Sequence, residues 1–296
     1  AYDPKSKITD LLSDLNCCSQ KGLVERFDST VGGNTILMPL GGKLQLTPAC
    51  GMAAKLPTIN VNTATSTLMA FGFDPELSTK SPYHGALYAV IDSVTKIAAM
   101  GGDISKVRLS FQEYFEKMTE DPSVWGKPFS ALLGALTAQR KLGIPAIGGK
   151  DSMSGTFMDL HVPPTLISFA VGMANSDHIL SPEFKRTDSH IVYLTPGRDE
   201  NGVIDFENYL ANMKRVRRLV AENSVLSINT IGKGGIFISL LKMAAGNSIG
   251  VTVDGVTESE LRLPDYGGLL LEIAREEDVQ DLFAETTYRS IGTTTE

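Results

Sequence analysis

The sequence predicts an α+β fold built as two successive units, and three observations carry that reading. Short β-rich runs alternate with amphipathic helical runs along the chain. The helical runs have caps and stops of the right chemistry, such as Ser81 followed by Pro82 and ended by Gly101 and Gly102. A polar, proline-containing, charged stretch, 176–189, divides two such alternations and reads as a linker.

Strands are expected at 35–40, 107–111, 144–147, 165–173, 190–195, 251–253 and 269–273. Each is rich in branched or apolar residues and bounded by Gly, Pro or polar clusters. The helix expected over 82–100 carries the apolar stripe Leu87, Val90, Ile91, Val94, Ile97 and Ala98. A second helix should follow Pro128 and end at Gly143, and a third should span 206–222 behind Asp205 as cap. A fourth should follow Gly234 and Gly235 and end near Gly246, and a fifth should lie over 276–284. The expected organisation is an approach segment, 1–25, a first domain with a mixed sheet, 26–188, and a second α+β domain, 189–296.

Composition narrows the class. The 296 residues are 42% hydrophobic and 21% charged, an ordinary globular profile, with a formal charge of -7. An acidic chain lacks the electrostatic footprint of a nucleic-acid binder. It can still hold a phosphorylated small molecule, because a nest of backbone N–H groups and one lysine suffice locally. No apolar run reaches the roughly 18 residues of a membrane span, so no membrane partner is expected. Cys17, Cys18 and Cys50 make no disulfide framework, which places the chain in a reducing cytoplasm. His84, His161, His178 and His190 are scattered, so no metal site is expected. The methionines, Met38, Met69 and Met243 among them, read as core fillers. The basic run Lys214, Arg215, Arg217 and Arg218 reads as a solvated helix face.

The stretch 147–157, IGGKDSMSGTF, follows an expected strand directly. Gly148 and Gly149 allow positive φ and close approach of backbone to a ligand. Lys150 is a compact cation, Asp151 can orient it or hold a metal, and Ser152 and Ser154 offer donors. This is not the GxxxxGK[ST] phosphate loop. By composition alone, a phosphate site and a polar turn with a solvated Lys150 stand equal.

GGKDSMS after a strand resembles a signature of phosphoribosylformylglycinamidine synthase, and collinear segments resemble the same family. These are RFDST from Arg26, SPYHGALYAVIDSVTKIAAMGGD from Ser81, VRLSFQEYF from Val107, PPTLISFAVGM from Pro163, KGGIFISLLKMA from Lys233 and YGGLLLEIA from Tyr266. The resemblance covers nearly the whole chain from Gly22 and is to the second synthetase half of the large single-chain type. It implies an aminoimidazole ribonucleotide synthetase-like N-terminal domain followed by the matching C-terminal domain, here cut short. It also implies half of an ATP- and Mg-using ligase that converts formylglycinamide ribonucleotide and glutamine-derived ammonia to formylglycinamidine ribonucleotide in purine biosynthesis. The partners implied are the first synthetase half and a glutaminase domain; the isolated chain is expected to be either a homodimer mimicking the missing half or a sticky monomer. The first domains of two halves would pair edge to edge, leaving a free edge strand or apolar patch here.

On this reading Lys150 and Asp151 carry the chemistry. Gly148, Gly149, Ser152 and Ser154 bind phosphate or substrate. Asp28 and Thr30 either face the neighbouring half or cap a turn, and Gln112 and Glu113 either touch substrate or cap a helix. The family's auxiliary magnesium-nucleotide site is implied to be degenerate: at its carboxylate and Asn positions stand Asp92 and Lys96, and before the Gly-Gly helix stand Thr230 and Lys233. An ammonium repels Mg²⁺ and supplies its own charge, so Lys96 and Lys233 would replace the cation. The plainer alternative is a surface Asp92–Lys96 pair. His84 is the nearest candidate for a catalytic histidine. The rival functions are a self-contained enzyme of the same superfamily, of the selenophosphate synthetase or thiamine-phosphate kinase type, and a non-catalytic scaffold half.

Overall fold

The computed structural model describes residues 7–26, 33–284 and 286–296. Asp28 and Thr30 lie outside them. The first part of the chain runs α1 (Lys21–Arg26), β1 (Leu40–Gly41), β2 (Thr47–Pro48), β3 (Met52–Lys55), β4 (Thr65–Gly72), α2 (Pro75–Lys80), α3 (Pro82–Ala99), β5 (Arg108–Tyr114), α4 (Pro122–Leu142), β6 (Ala146–Lys150), β7 (Thr156–Phe157), β8 (Leu160–His161) and β9 (Thr165–Asn175). The rest runs β10 (His190–Leu194), α5 (Phe206–Ala221), β11 (Ser227–Ile231), α6 (Gly235–Ala245), β12 (Gly250–Val253), α7 (Glu258–Arg262), β13 (Asp265–Ile273), α8 (Val279–Leu282) and β14 (Tyr288–Thr295).

Two five-stranded sheets result, ordered β3-β4-β9-β5-β6 and β11-β13-β10-β14-β12. The first is mixed: β6 runs parallel to β5 and the other pairings are antiparallel. The second is antiparallel throughout. A chain whose two halves each alternate strands and helices builds this α+β architecture, because each sheet must bury at least one face against a helical layer.

Helix α3 is the axis of the molecule. Ser81 accepts a hydrogen bond from the His84 amide and Pro82 holds the first position, the start the punctuation predicts. Leu87, Val90, Ile91, Val94 and Ile97 are each fully buried. The helix touches β4 and β9 on one side and β11, β13 and α5 on the other, so a single large core runs past both sheets. Complete burial of one such Leu or Ile stabilises by about 1.5–3 kcal/mol, so α3 orders both halves. A second, smaller core gathers around Phe184, Ile236, Leu240 and Met243.

Several boundaries differ from expectation. Helix α4 starts at Pro122 behind the Asp121 cap, and Pro128 sits inside it with its ring buried. Asp-Pro is the stronger start signal, and packing against α3 carries the helix through the lost hydrogen bond of Pro128. Its end at Gly143, at φ +69°, is as predicted. The 35–40 run is not a strand: Thr35 makes an isolated bridge to Ala54 and the first strand begins at Leu40. The fifth helix shrinks to α8. Strands β3, β4, β11 and β14 were not foreseen, because MAAK, TSTLMAFG, SINTI and YRSIGTTT are too mixed in β propensity to stand out. The 176–189 stretch is packed, not loose: Phe184 is fully buried and the amides of Lys185 and Arg186 donate to the Glu272 carboxylate. Met38 and Met69 are exposed, while Met243 is a core residue as expected.

Candidate functional site

Two places in the molecule gather chemistry. The first is the cleft between α3 and the second sheet. A cavity of about 420 Å³ is lined by Asp92 and Lys96 from α3, Asn229 and Thr230 from β11, Ser239 and Lys242 from α6, Lys233 from the turn before α6, Asp74 from the end of β4, and Asn16 and Gln20 from the approach segment. That segment is therefore a wall of the cleft, folded as a 3-10 turn over Ile8–Ser13 and as α1. A larger adjoining cavity of about 680 Å³ shares Asp74, Lys233 and Tyr266 and extends to His84, Tyr88, Arg198 and Arg262.

Asp92 and Lys96 lie one helical turn apart, so they share a face. Lys96 Nζ donates to Asp92 Oδ2 at 2.6 Å and to the Phe71 carbonyl at 2.8 Å, and lies 5.1 Å from the Phe71 ring centre. Asp92 is only 6% exposed, so this is a buried pair and not the surface pair of the plainer alternative. Burial pushes the Asp92 carboxyl up against the pull of Lys96, and Asp74 pushes the same way.

Lys233 is otherwise engaged: it pairs with Glu76 and lies 3.8 Å from Asp14. The cation that sequence reasoning missed is Lys242. Its side chain is half-buried, lines the same cavity and has no hydrogen-bond or ion-pair partner among the described residues. Burial lowers its pKa, and Lys96 lowers it further. Nothing in LLKMAAG marks it; only the fold turns that face of α6 inward.

The metal reading fails on donor chemistry. Asp92 spends one oxygen on Lys96, Asp74 spends Oδ1 on the α2 amides and Oδ2 on the Tyr266 hydroxyl, and the described residues contain no trio of His, Cys, Asp or Glu able to hold an ion. His84 is a structural bridge: Nδ1 pairs with Ser81 Oγ at 2.8 Å and Nε2 with the Asn201 carbonyl at 2.9 Å. Cys17 is buried and Cys50 half-buried beside Asn229; burial raises both thiols, Cys50 to about 11.

The second place is the edge of the first sheet. Gly148, Gly149 and Lys150 are the end of β6, paired with Ser110, Phe111 and Gln112 of β5. The glycines therefore do not serve positive φ, as was expected; neither has it. Gly149 is required for another reason, because a Cβ there would lie 2.5 Å from the Phe111 carbonyl, while at Gly148 it would meet open space. Lys150 is exposed and its amine bonds the Asp151 carbonyl, not the Asp151 carboxylate. The Ser152 amide donates to the Glu113 carbonyl and its hydroxyl lies 3.3 Å from that of Ser154. Glu113 is buried beneath this turn, and burial with nearby Asp151 raises its pKa. Gln112 donates to the Lys150 carbonyl, so it braces the strand end and caps no helix. Phe71, Tyr114, Phe169, Met173 and Ile147 stand exposed on or beside this sheet.

No protein-family model matches the chain. Curated relatives do. The chain is 23% identical over 302 residues to the phosphoribosylformylglycinamidine synthase subunit PurL of Thermoplasma acidophilum, and 26% over 286 residues to that of Mesorhizobium japonicum. These alignments take in 94% and 87% of this chain. The chain is thus similar to PurL over most of its length. It spans 39% and 36% of the length of those two relatives. Thermotoga maritima PurL, solved with AMPPCP, superposes with a TM-score of 0.68 over 100% of this chain and 44% of that one, at 18% identity. The hydrogenase maturation protein HypE, solved with ATP, gives 0.56 over 82% of this chain and 79% of its own, at 18% identity. The α+β, aminoimidazole ribonucleotide synthetase-like architecture expected from sequence is thus the fold this chain has.

Proposed function

We propose that the chain is one synthetase half of a phosphoribosylformylglycinamidine synthase-type ligase acting in purine biosynthesis. The observation that carries this is collinear similarity to PurL over 94% of the chain, combined with a glycine-lysine strand end on a free sheet edge. In the proposed reaction the amide oxygen of formylglycinamide ribonucleotide takes the γ-phosphoryl of ATP, ADP leaves, and ammonia adds to the carbon. Inorganic phosphate then leaves from the tetrahedral intermediate. The protein's task is to hold phosphates and stabilise developing charge.

On this reading the β6 end is one wall of the site, and a sister half docked on the exposed sheet face supplies the other. Lys150, freed from the Asp151 carbonyl, meets a phosphoryl oxygen there. The α3–α6 cavity is an auxiliary anion site whose cations are Lys96 and Lys242, with Lys233 held back by Glu76; no step passes through a metal in it. The isolated chain is proposed to be inactive. Ammonia would come from a glutaminase partner, since none of the three cysteines stands in a Gly-x-Cys-x-Gly nucleophile elbow.

The test is kinetic, in an enzyme that joins this chain to its sister half. Lys150→Ala is expected to lower kcat/KM about 100-fold or more, and turnover near wild type would end the assignment. For the cavity, calorimetry of ATP with the metal chelated should show binding that Lys242→Met and Lys96→Met each weaken about tenfold, roughly the value of one charge-assisted contact. Binding that appears only with Mg²⁺ would refute a lysine-based site.

A further inference from the structure

Helix α4 presents two opposite faces, and only one is used. Pro128, Ala131, Gly134, Ala135 and Ala138 are buried against α3. Contact is close enough that a Cβ on Gly134 would lie 2.0 Å from the Tyr83 carbonyl. On the far side Trp125, Phe129, Leu132, Leu133 and Leu136 are 53%, 64%, 46%, 42% and 47% exposed. At 100° per residue these five form one stripe, and Arg140 continues it. A helix that is apolar on both sides is waiting for a second partner.

We infer that α4 pairs with the α4 of a second copy of this chain, antiparallel about a two-fold axis. The stripe is self-complementary only in that direction. Trp125 with Arg140, Phe129 with Leu136, and Leu132 with Leu133 are pairs centred on one point, the bond between residues 132 and 133. A two-fold axis there lays Phe129 on the partner copy's Leu136 and Arg140 over the face of its Trp125, a cation–π arrangement.

The ends agree in charge. Glu120 and Asp121 stand at the start of the helix, Arg140 and Lys141 in its last turn, and antiparallel packing brings the acidic end beside the basic one. Neither Arg140 nor Lys141 has a hydrogen-bond or ion-pair partner among the described residues. A parallel pairing would stack like charges. Trp125 is already oriented, its indole N–H donating to the Thr119 carbonyl at 3.0 Å, so little freedom is lost on docking. One helix pair buries less than a standard interface, so the dimer is weak and concentration-dependent. This surface is separate from the sheet face assigned to the sister half and does not rest on that assignment.

Trp125 is the only tryptophan of the 296 residues, so its emission reports this surface alone. The experiment is sedimentation velocity with parallel fluorescence, from about 1 to about 300 μM, the range in which small interfaces associate. A monomer–dimer equilibrium is expected, with Trp125 emission moving to shorter wavelength as dimer forms. Phe129→Glu should raise the dissociation constant about tenfold or more, and Phe169→Glu on the sheet face should leave it unchanged. Arg140→Glu should weaken the dimer, and adding Glu120→Arg should restore it. All of these side chains except the half-exposed Phe169 ring are well exposed, and unchanged thermal melts confirm folding. A monomer at every concentration, or a dimer that survives Phe129→Glu but is lost on Phe169→Glu, would overturn the inference.

Discussion

The α3–α6 cavity and the β6 edge both offer lysine to an anion, but they are built in opposite ways. In the cavity the cation is enclosed: Lys96 is held by a buried carboxylate, a carbonyl and a ring, and Lys242 is left over. At the edge the Lys150 amine stands in water, bonded to the next residue's carbonyl. A charge in a low-dielectric pocket interacts strongly and must be balanced within the chain. A charge on a rim costs nothing while alone, and acquires strength when a second surface excludes water from it. On the proposed reading one site is complete in a single copy and the other is half a site.

The largest expected effect tests the balance in the cavity. Lys96→Met strands Asp92 without its counter-ion and should cost about 3 kcal/mol or more in urea unfolding. Lys150→Met should stay within about 0.5 kcal/mol, as exposed sites do. Equal costs at the two lysines would erase the distinction. Next come the glycines. Gly149→Ala, driven against the Phe111 carbonyl, should lose about 1–3 kcal/mol, whereas Gly148→Ala should be silent or slightly stabilising. If the two behave alike, the strand pairing at the edge is wrong.

The smallest effect is a pH dependence. The Glu113 pKa is raised above its usual 4.5. Between 4.5 and that higher value the folded protein binds more protons than the unfolded chain, so stability falls as pH rises through the window. Glu113→Gln should therefore raise Tm at pH 7 and flatten that slope, with little effect below pH 4.5. Asp92 is raised for the same first reason, burial, but has Lys96 beside it. Burial outweighs that pull, so Asp92 adds a slope of the same sign, and Asp92→Asn should flatten it as Glu113→Gln does. A slope unchanged by Asp92→Asn would mean that Lys96 cancels the effect of burial.

Much of this was legible beforehand, for a physical reason. Helices α3, α5 and α6 were readable because caps, stops and apolar stripes are local signals, and Ser81-Pro82, Asp205 and Gly234-Gly235 act within one turn. Strands β4 and β11 were not, because TSTLMAFG and SINTI become strands through neighbours far away in sequence. Asp92 and Lys96 were read as a same-face pair, and they are one. The burial that makes the pair costly to break depends on the second sheet closing over α3.

What the sequence determined by itself is thus the class of fold, the order of its helices and the residue types available to hold a phosphate. Those follow from rules that act over a few residues. Only the tertiary structure decided which lysine is spare, which face of α4 is bare, and that GGK is a strand end and not a loop. Each of these is a matter of what lies opposite a side chain, and that is set by contacts between segments distant in sequence.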